Sequence, residues 1–360
     1  MSKIKVAKVV VICNDVNRET LFDFLERIKY MNRRDFILNT AKASMLVGGA
    51  SMFASTAFAN STSDPKALAR LVEKNSTRFK AKFGPNLYGW TNIFPHSYKQ
   101  MKTASEKIDF LGALGFIAFE DNNFLDHTPA QQQEIADALK RNNMEFCGFT
   151  GYSGMQHKFI MTANKDNNGK YDKVASLEFS RKEITKAADT AQKFGVKRMI
   201  VVPGLFDDSI SMYDGFSNVL EHLRQAVEIC QKRGVTMVLE FLCSHAHPGL
   251  WLKNCAQTYA LCKAVNSPNC KILFDTYHAQ FEAGNLFRNI ETHFDEIEYF
   301  HIADVPNRTE PKSGEINFKN LISFVKGLGY NGIFGMEHLR SDKTLAGEQK
   351  MMQIYREIDC

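Results

Sequence analysis

The sequence lacks the cysteine patterns that mark a disulfide scaffold or a paired zinc module. Its 360 residues include eight cysteines, and none of them forms a CxxC motif. Cys147, Cys230 and Cys262 fall within apolar segments, where a cysteine behaves as a small buried hydrophobic residue. The sequence therefore indicates neither a fold held by disulfides nor one held by CxxC zinc sites.

A strongly apolar run of the roughly 20 residues that a membrane-spanning helix needs is also missing. Residues 43–59 are mildly apolar, but Gly, Ala and Ser dilute them. An Arg-Arg pair at 33–34 precedes this stretch, and the segment AFA at 57–59 offers a small-residue cleavage site. This arrangement is typical of a secretory signal of the twin-arginine type. An ordinary N-terminal amphipathic helix is the alternative interpretation.

The sequence predicts three regions. Residues 1–59 form a leader with the twin-arginine signal peptide, in which residues 1–30 precede Met31 and are interpreted as an over-extended start. Residues 60–84 form a polar linker and a first helix around 65–79, and residues 85–360 form one catalytic domain. The expected destination is the periplasm, reached in the folded state, or the cytoplasm if the signal is not used.

An excess of charge of either sign is absent once the leader is set aside. The full chain carries 45 Lys and Arg against 40 Asp and Glu, a formal charge of +5. The leader holds nine of the basic and five of the acidic residues, so residues 60–360 carry 36 against 35. This balance argues against nucleic acid as a partner, because a nucleic-acid site needs a basic surface.

Short apolar segments and segments of helical periodicity alternate from residue 86 to the C-terminus. The predicted strands are 86–90, 116–120, 145–150, 198–203, 236–241, 271–277, 298–304 and 332–337. The predicted helices are 103–114, 130–142, 177–194, 215–233, 251–265, 283–294, 318–328 and 344–358. Eight strands, each followed by a helix, predict a single α/β domain with a (β/α)8 TIM barrel fold. A doubly wound open sheet is the runner-up.

The longest strand-to-helix loop, 151–176, is rich in Asn, Lys, Asp and Gly. In a barrel, such a loop lies at the carboxyl ends of the strands, where the chemistry takes place. We expect this segment to be either a lid over the mouth or a solvated insertion.

Four polar residues lie near the ends of consecutive predicted strands: Glu240, Asp275, His301 and Glu337. They are separated by 35, 26 and 36 residues, about one strand, one helix and their loops. The carboxyl ends of the strands of a barrel converge at one mouth, so we expect the four side chains to meet there. In an open sheet, four consecutive strands would not aim at one point.

These four residues together predict a metal site. A carboxylate inside an apolar segment such as VLEFL or ILFDTYH is a costly buried charge unless it is paired or bound to a metal. Three converging carboxylates without a cation would repel one another and shift toward protonation. Two Glu, one Asp and one His suit one divalent ion, manganese or magnesium. Separate salt bridges and, for His301, a hydrogen-bonded core histidine are the alternatives.

Three segments carry a resemblance to a known family. FHIADVPNRTEPKSGEINF at 300–318 resembles the HIADVPGRHEPGTGEINF-like signature of the hydroxypyruvate isomerase family, among the xylose isomerase-like TIM barrels. FDTYHAQFEAGNL at 274–286 resembles that family's DIYHMQ…EGNL segment, and HPGLWL after Glu240 resembles its metal-strand loop. The resemblance extends from about residue 86 to the C-terminus.

This resemblance implies roles for individual residues. The family's metal ligands, one from each of strands five to eight, fall on Glu240, Asp275, His301 and Glu337. Hydroxypyruvate isomerases often have Gln where this chain has His301, while the related ketose 3-epimerases have His. Two further positions that contact substrate in the family fall on His278, three residues after Asp275, and on Arg308, seven residues after His301.

The chain departs from the family after the strand-five Glu. The family commonly shows Pro-Ile-Asn and then an Arg, whereas this chain has FLC at 241–243 followed by His245 and His247. A lost Arg near the pocket points to a substrate without a carboxylate. The export signal points the same way, because a periplasmic isomerase of the glyoxylate pathway has no obvious partner pathway.

The resemblance implies an isomerase, an intramolecular oxidoreductase of the aldose–ketose type. A substrate with adjacent carbonyl and hydroxyl oxygens would chelate the divalent ion, which eases formation of an enediolate. Glu240 and Glu337 are the expected catalytic residues, because one carboxylate removes a proton from carbon and the other returns it or moves it between oxygens. For hydroxypyruvate the product is 2-hydroxy-3-oxopropanoate. His278 and Arg308 would then hold substrate oxygens or the substrate carboxylate, which suits the planar fork of an Arg.

Other functions stay open beside this one. A ketose 3-epimerase or another sugar isomerase would use the same metal chemistry, and an exported barrel could bind a sugar without turning it over. A DNA-repair enzyme of the endonuclease IV type would need further His ligands to zinc and a basic groove. The expected partners are a small hydroxy-carbonyl or sugar substrate, the twin-arginine export machinery and a second copy of the chain in a homo-oligomer. Nucleic acid and a stable membrane span are not expected.

Overall fold

The computed structural model describes residues 65–87 and 92–360. The predicted leader with its twin-arginine signal lies outside the described residues, as do positions 88–91, which overlap the predicted first strand. All described residues belong to one unit, Ser61–Cys360. Within this described part, no helix combines the length and apolar character that a bilayer crossing requires.

Strands and helices alternate along the described chain. The strands are β1 (Lys82–Pro85), β2 (Ala118–Phe119), β3 (Glu145–Phe146), β4 (Phe149–Ser153), β5 (Arg198–Val202), β6 (Thr236–Glu240), β7 (Cys270–Asp275), β8 (Ile297–His301) and β9 (Ile333–Met336). The helices are α1 (Pro65–Asn75), α2 (Ala104–Ala113), α3 (Pro129–Asn142), α4 (Gly154–His157), α5 (Ile160–Ala163), α6 (Lys173–Phe194), α7 (Met212–Arg233), α8 (Cys255–Val265), α9 (Thr276–Glu282), α10 (Leu286–His293), α11 (Phe318–Gly327) and α12 (Leu345–Ile358). This is the repeated strand-helix order that the sequence predicts.

The strands close into an eight-stranded barrel, in which β3 and β4 count as one strand. In the larger sheet the order is β1-β9-β8-β7-β6-β5-β4, with every pair parallel. β2 pairs in parallel with β3, and a parallel bridge between Asn86 and Glu120 joins β1 to β2. β3 and β4 are successive parts of one barrel strand, because the main-chain N–H of Cys147 between them also donates to the main-chain oxygen of Phe119 in β2. The predicted (β/α)8 TIM barrel is confirmed.

Polar side chains start the helices that leave the mouth of the barrel. In each case a side-chain oxygen accepts a hydrogen bond from a main-chain N–H of the first turn. The residues that cap helices in this way are Thr103, Thr128, Asp172, Ser211, Asn254, Asp275, Asn317 and Thr344. Thr128 and Pro129 open α3, and Gln131 completes a capping box there.

The first strand, β1, begins at Lys82, four residues before the predicted strand 86–90 and within the predicted linker. The structure also differs from the predicted elements at two places near the mouth. The predicted strand 271–277 ends at Asp275, because the Asp275 carboxylate accepts hydrogen bonds from the main-chain N–H groups of Tyr277 and His278 and so starts α9. His278 therefore lies in a helix. The predicted helix 283–294 is shorter, since left-handed residues at Gly284 and Asn285 separate α9 from α10.

The predicted loop 151–176 contains α4, α5 and the first turn of α6. Asn164 anchors this segment: its Oδ1 accepts from the Ser176 hydroxyl at 3.1 Å and lies 3.0 Å from Nε2 of His222. Its Nδ2 donates to Oδ1 of Asn218 at 2.8 Å. These bonds tie the segment to α6 and α7.

Side chains that point into the barrel form layers, because successive side chains along a strand alternate between its two faces. One layer is mostly apolar and contains one residue from each of seven barrel strands: Ala118, Cys147, Ile200, Val238, Leu273, Tyr299 and Ile333. The next layer lies two residues further along five of these strands and contains Glu120, Glu240, Asp275, His301 and Gly335. The apolar layer is therefore the floor beneath a polar layer.

Gly335 leaves the space that this polar layer needs. A Cβ atom at this position would collide with the Glu120 carboxylate and the Tyr299 hydroxyl, and would lie 2.7 Å from Cδ2 of His301. All three neighbours are buried, so none of them has free space to move into. A side chain at this position would therefore disturb the groups around His301.

We expect Gly335→Ala to destabilise the protein by about 1–3 kcal/mol, because overpacking a buried site costs that much. The measurement is the free energy of unfolding in urea. Gly327→Ala is the matched control, since Gly327 is exposed at the end of α11 and a Cβ atom there meets no atom within 4 Å. The control should gain up to about 1 kcal/mol. Equal effects of the two changes would contradict the steric argument.

Candidate metal centre and active site

Four polar residues meet at the carboxyl ends of neighbouring strands. Glu240, Asp275 and His301 are the last residues of β6, β7 and β8, and Glu337 directly follows β9. One ligand atom from each of the four lies within 4.8 Å of the other three. Asp275 and His301 are fully buried, and each Glu is 6% exposed. The structure brings together all four residues that the sequence predicts as metal ligands.

His301 faces the cluster through one ring nitrogen and is held through the other. Its Nδ1 lies 3.1 Å from Oε2 of Glu337 and 3.6 Å from Oε1 of Glu240. Its Nε2 lies 3.1 Å from Oε2 of Glu120, a buried carboxylate that also accepts a hydrogen bond from the Tyr299 hydroxyl. A carboxylate on the far nitrogen fixes the orientation of the ring and makes it a stronger ligand.

Burial and mutual repulsion raise the proton affinity of two of the carboxylates. Burial raises the pKa of Glu240 to about 7, and the neighbouring Glu337 carboxylate adds to this shift. Burial also raises the pKa of Asp275 to about 6, although Arg308 opposes the shift. These shifts are expected where carboxylates converge away from water with too little positive charge beside them.

His301 and Glu337 shift in the opposite sense. Burial lowers the pKa of His301, but the Glu120 and Glu337 carboxylates outweigh it and hold that pKa well above its usual value. Burial raises the pKa of Glu337, but His301 and Arg308 outweigh it and hold that pKa well below its usual value. Glu240 and Glu337 therefore differ in proton affinity although they belong to one cluster.

Arg308 reaches the cluster from the loop after β8. Its Nη2 donates to Oδ2 of Asp275 at 3.1 Å and to Oε2 of Glu337 at 2.7 Å. The guanidinium carbon lies 5.0 Å from the centroid of the Tyr277 ring. The main-chain oxygen of Arg308 accepts from the N–H of Leu339 at 2.6 Å, which fixes the backbone beside the loop after β9. The sequence predicts a substrate contact for Arg308, and its guanidinium lies directly on two of the four predicted ligands.

His278 offers a neutral donor beside the cluster. The main-chain N–H of Cys243 donates to Nδ1 of His278 at 3.2 Å, so the neutral ring carries its proton on Nε2. Burial lowers the pKa of His278 well below its usual value, which keeps the ring neutral. Nε2 lies 3.7 Å from Oδ2 of Asp275 and is buried with no hydrogen-bond partner among the described residues. Its N–H is therefore available to a small molecule in the mouth.

A family model described as a xylose isomerase-like TIM barrel matches residues 108–357. The chain belongs to this family. The 2-oxo-tetronate isomerase of Cupriavidus necator is 32% identical over 167 residues, which cover 46% of this chain and 64% of that protein. The hydroxypyruvate isomerase of Escherichia coli is 30% identical over 176 residues, which cover 49% of this chain and 68% of that protein. The aligned part of the first relative is thus less than two thirds of its length.

A solved structure also resembles this xylose isomerase-like barrel. It is described as an AP endonuclease, family 2, from Brucella melitensis, and it is 25% identical with a TM-score of 0.60. The superposition covers 74% of this chain and 96% of that structure. The resemblance agrees with the barrel described above, and the two curated relatives are isomerases by name.

The residues of this family member fit a divalent cation. Oε1 of Glu240 and Nδ1 of His301 are buried in the cluster and form no hydrogen bond of good geometry within the described residues, although Nδ1 lies 3.1 Å from Oε2 of Glu337. Three carboxylates and one imidazole supply hard oxygen donors and one nitrogen donor, a set that suits manganese or magnesium. A cation held by these atoms would also relieve the repulsion that raises the pKa values of Glu240 and Asp275.

Two groups that contact the cluster are absent from the sequence prediction. Glu120 ends the predicted strand 116–120, so a carboxylate at a strand end was the signal that could have revealed it. Asn122 lies in the loop after β2 and donates from Nδ2 to Oε1 of Glu337 at 2.7 Å. No pattern in the sequence marks Asn122.

In this xylose isomerase-like barrel we expect Glu120→Gln to weaken Mn²⁺ binding by about 10- to 100-fold, the usual loss when the carboxylate behind a ligating His is removed. The measurement is calorimetric titration of purified protein with Mn²⁺. Glu145→Gln is the matched control, because Glu145 opens β3 and pairs with Lys82 at 2.9 Å, away from the cluster. Equal affinity in the Glu120→Gln variant and the wild type would refute this role for Glu120.

Proposed function

We propose that this chain is a metal-dependent isomerase of the hydroxypyruvate isomerase type, which interconverts hydroxypyruvate and 2-hydroxy-3-oxopropanoate through an enediolate. The observation that carries this proposal is the buried cluster of Glu240, Asp275, His301 and Glu337 at the barrel mouth. Curated relatives named as hydroxypyruvate and 2-oxo-tetronate isomerases support the choice of reaction. The substrate in each name is a small acid with a carbonyl group and a hydroxyl group.

The four clustered residues would hold one Mn²⁺ or Mg²⁺ ion. When bound, such an ion acts as a Lewis acid that polarises the substrate carbonyl and favours loss of the adjacent carbon-bound proton. The donor set is the argument for these ions, because carboxylate oxygens suit magnesium and manganese better than they suit softer metals.

Glu240 and Glu337 would move the protons. One carboxylate takes a proton from the CH₂OH carbon of hydroxypyruvate, and a proton is returned to the neighbouring carbon that was the carbonyl. The proton of the hydroxyl group is lost as that oxygen becomes the new carbonyl, and the former carbonyl oxygen gains one. No oxidant is needed, because each hydrogen lost is balanced by one gained. The opposite pKa shifts of the two Glu suit an acid and a base that work in the same site.

Arg308 and His278 would orient the substrate. Arg308 already donates to Asp275 and Glu337, so its guanidinium borders the space above the cluster. The Nε2–H of His278 is unpaired within the described residues and would donate to a substrate oxygen. Both contacts hold the carbon that loses the proton in a fixed position.

The nearest alternative is a ketose 3-epimerase, which would use the same proton transfer on a free sugar. The presence of His301 favours it, since the sequence resemblance associates His at this position with epimerases and Gln with hydroxypyruvate isomerases. An exported barrel that binds a sugar without turnover is the alternative from another class. The DNA-repair alternative is less well supported, because a single cluster of four metal-binding groups is found among the described residues.

The test is a substrate panel with metal-loaded protein. We expect turnover of hydroxypyruvate that stops after chelation with EDTA and returns on addition of Mn²⁺ or Mg²⁺. Glu240→Gln and Glu337→Gln should each lower kcat by about 100-fold or more, the usual contribution of a general acid or base. Incorporation of solvent deuterium at carbon, followed by NMR, would report the proton transfer directly.

Exposed carboxylates provide the control for these two changes. Glu315→Gln alters a carboxylate that is exposed in the loop after β8 and should leave turnover unchanged. Turnover of free ketoses without hydroxypyruvate would replace the isomerase proposal by the epimerase. Activity that survives in both Glu→Gln variants would eliminate the catalytic proposal, and binding without turnover would favour the sugar-binding barrel.

We also propose that the protein is exported to the periplasm by the twin-arginine machinery. The Arg-Arg pair at 33–34 and the AFA segment at 57–59 motivate this proposal. A protein that folds in the cytoplasm would take up its metal there before export.

We expect the wild-type chain to appear in the periplasmic fraction with Asn60 as its first residue. Replacing Arg33 and Arg34 by Lys should leave the uncleaved chain in the cytoplasm, because the twin-arginine pair is the feature that this pathway reads. The measurement is fractionation followed by mass spectrometry of the N-terminus. Equal export of both forms would exclude this route and leave the isomerase proposal unaffected.

A further inference from the structure

Asn122 lies directly after the second barrel strand, two residues beyond Glu120. The main-chain N–H of Asp121 donates to the oxygen of Gly148 at 3.4 Å, and the N–H of Thr150 donates to the oxygen of Asn122 at 3.3 Å. Hydrogen bonds between the second and third barrel strands thus continue through this segment. Because side chains along such a segment alternate between its two faces, Asn122 faces the same side as Glu120. Its side chain therefore lies one layer above the polar layer, toward the mouth.

The contacts of neighbouring side chains agree with this direction. Nδ2 of Asn122 donates to Oε1 of Glu337 at 2.7 Å. The carboxylate of Asp121, the residue between Glu120 and Asn122, instead lies 2.8 Å from Nε2 of His127. Asn122 therefore lies on one of the four clustered carboxylates, while Asp121 serves the other face of the segment.

The two oxygens of Glu337 have different neighbours. Oε1 accepts from Asn122, whereas Oε2 accepts from Nη2 of Arg308 at 2.7 Å and lies 3.1 Å from Nδ1 of His301. The same Nη2 atom also donates to Asp275 at 3.1 Å. Asn122 and Arg308 thus contact one clustered carboxylate from its two oxygens.

The amide oxygen of Asn122 has no partner. A carboxylate accepts hydrogen bonds, so the NH₂ group of the amide is the part that faces Glu337, and this leaves Oδ1 as a free acceptor. Oδ1 is buried and has no hydrogen-bond partner among the residues that the structure describes, although Asn122 as a whole is partly exposed. A buried acceptor without a partner destabilises the protein, and a ligand that donates to it removes that cost.

We propose that Asn122 is a specificity-determining residue whose Oδ1 accepts a hydrogen bond from the hydroxyl group of the substrate. This inference rests on the proposed isomerase function, because it takes the ligand to be the hydroxy-carbonyl substrate. An amide oxygen has no hydrogen to donate, so it pairs with a hydroxyl group and not with a carboxylate. Arg308 has the opposite preference, since a guanidinium only donates and matches a carboxylate. The two residues would therefore hold opposite ends of a small hydroxy acid.

The hydroxyl group is also the group that the reaction changes. In the proposed reaction it loses its proton and becomes the new carbonyl, while the carbon that bears it loses a hydrogen. A hydrogen bond to Oδ1 would fix the rotation of the CH₂OH group, so that this hydrogen keeps one direction relative to the carboxylate that removes it. Asn122 would thus orient the reacting end of the substrate without taking part in the proton transfer.

The experiment measures preference for a hydroxyl group in Mn²⁺-loaded, full-length protein and does not need turnover. Glycerate and lactate are acids that this reaction cannot isomerise, and they differ only in the hydroxyl group on the terminal carbon. Calorimetry gives both dissociation constants, and their ratio is the preference. We expect the wild type to prefer glycerate. Asn122→Ala should lower that preference by about 3- to 10-fold, the range for one neutral hydrogen bond.

The ratio separates substrate binding from the support that Asn122 gives to Glu337. A loss that arises through Glu337 weakens both ligands alike and cancels. Asn123→Ala is the matched control, because Asn123 is exposed and its amide donates to Asp126 at 3.2 Å. The control should keep the preference of the wild type. An unchanged preference in Asn122→Ala would overturn the proposal, and so would a wild type that has no preference or binds neither acid.

Turnover of hydroxypyruvate tests the proposed function separately. A preference that falls in Asn122→Ala while no variant isomerises hydroxypyruvate would support the hydroxyl contact and count against the proposed function only. Turnover together with an unchanged preference would leave the function intact and remove Asn122 from substrate binding.

Asn122→Ser covers the case in which Asn122→Ala does not fold, which the thermal unfolding midpoint would reveal. Serine keeps a small polar side chain, but its hydroxyl group ends one bond closer to the backbone than Oδ1 does. The preference for glycerate should therefore fall in this variant as well. A preference equal to that of the wild type in folded Asn122→Ser would contradict the proposal.

Discussion

The structure depends on how the barrel accommodates several carboxylates that its strands bury at one end. Glu120, Glu240, Asp275 and Glu337 are each at most 6% exposed. Two cationic groups reach them directly: His301 lies between Glu120 and Glu337, and Arg308 binds Asp275 and Glu337. The fold therefore needs positive charge beside these carboxylates, and so would any reaction at the site. The raised pKa values of Glu240 and Asp275 indicate that the protein's own cations do not complete that compensation. A divalent ion would balance the remaining negative charge. The buried carboxylates that destabilise the fold are therefore also the best candidates for function.

The loop that carries Arg308 is organised to meet this condition. Asp304 follows β8 and accepts hydrogen bonds from the main-chain N–H groups of Val305, Gly314 and Ile316. These bonds fold the loop back on itself, so that Arg308, in a left-handed conformation with φ of 52°, directs its guanidinium over the cluster. The segment that most resembles a known family in sequence is thus the segment whose backbone geometry places a cation on buried carboxylates.

The sequence predicts the barrel and the four clustered residues well because both follow from local rules. Alternation of strand and helix is visible in the periodicity, and a charged residue at the end of an apolar strand is conspicuous. Glu120 follows the same rule but belongs to a barrel strand with only two residues of regular structure, so its equivalence to Glu240 becomes clear only from the layers of the closed barrel. Asn122 could not be predicted, because it contacts the cluster from a loop whose course depends on distant contacts. The end of the predicted strand 271–277 was wrong for another reason: the Asp275 side chain both faces the cluster and caps a helix, so the strand ends at Asp275.

The residues that follow the strands at the mouth differ in character, and that difference bears on how a substrate would lie. Val202, Leu205, Leu242 and Leu250 form an apolar cluster at the ends of β5 and β6 and in the loops after them. The loop after β8 instead places the Arg308 guanidinium on Asp275 and Glu337. Of the two carboxylates proposed to move protons, Glu337 thus accepts a hydrogen bond from a cation, whereas Oε1 of Glu240 has no hydrogen-bond partner within the described residues. These contacts make Glu240 the less engaged of the two carboxylates, so in the proposed reaction the carbon that must lose a proton would lie beside it. A substrate carboxylate that lies toward Arg308 would set that orientation, whereas a neutral sugar would have to rely on hydroxyl contacts alone.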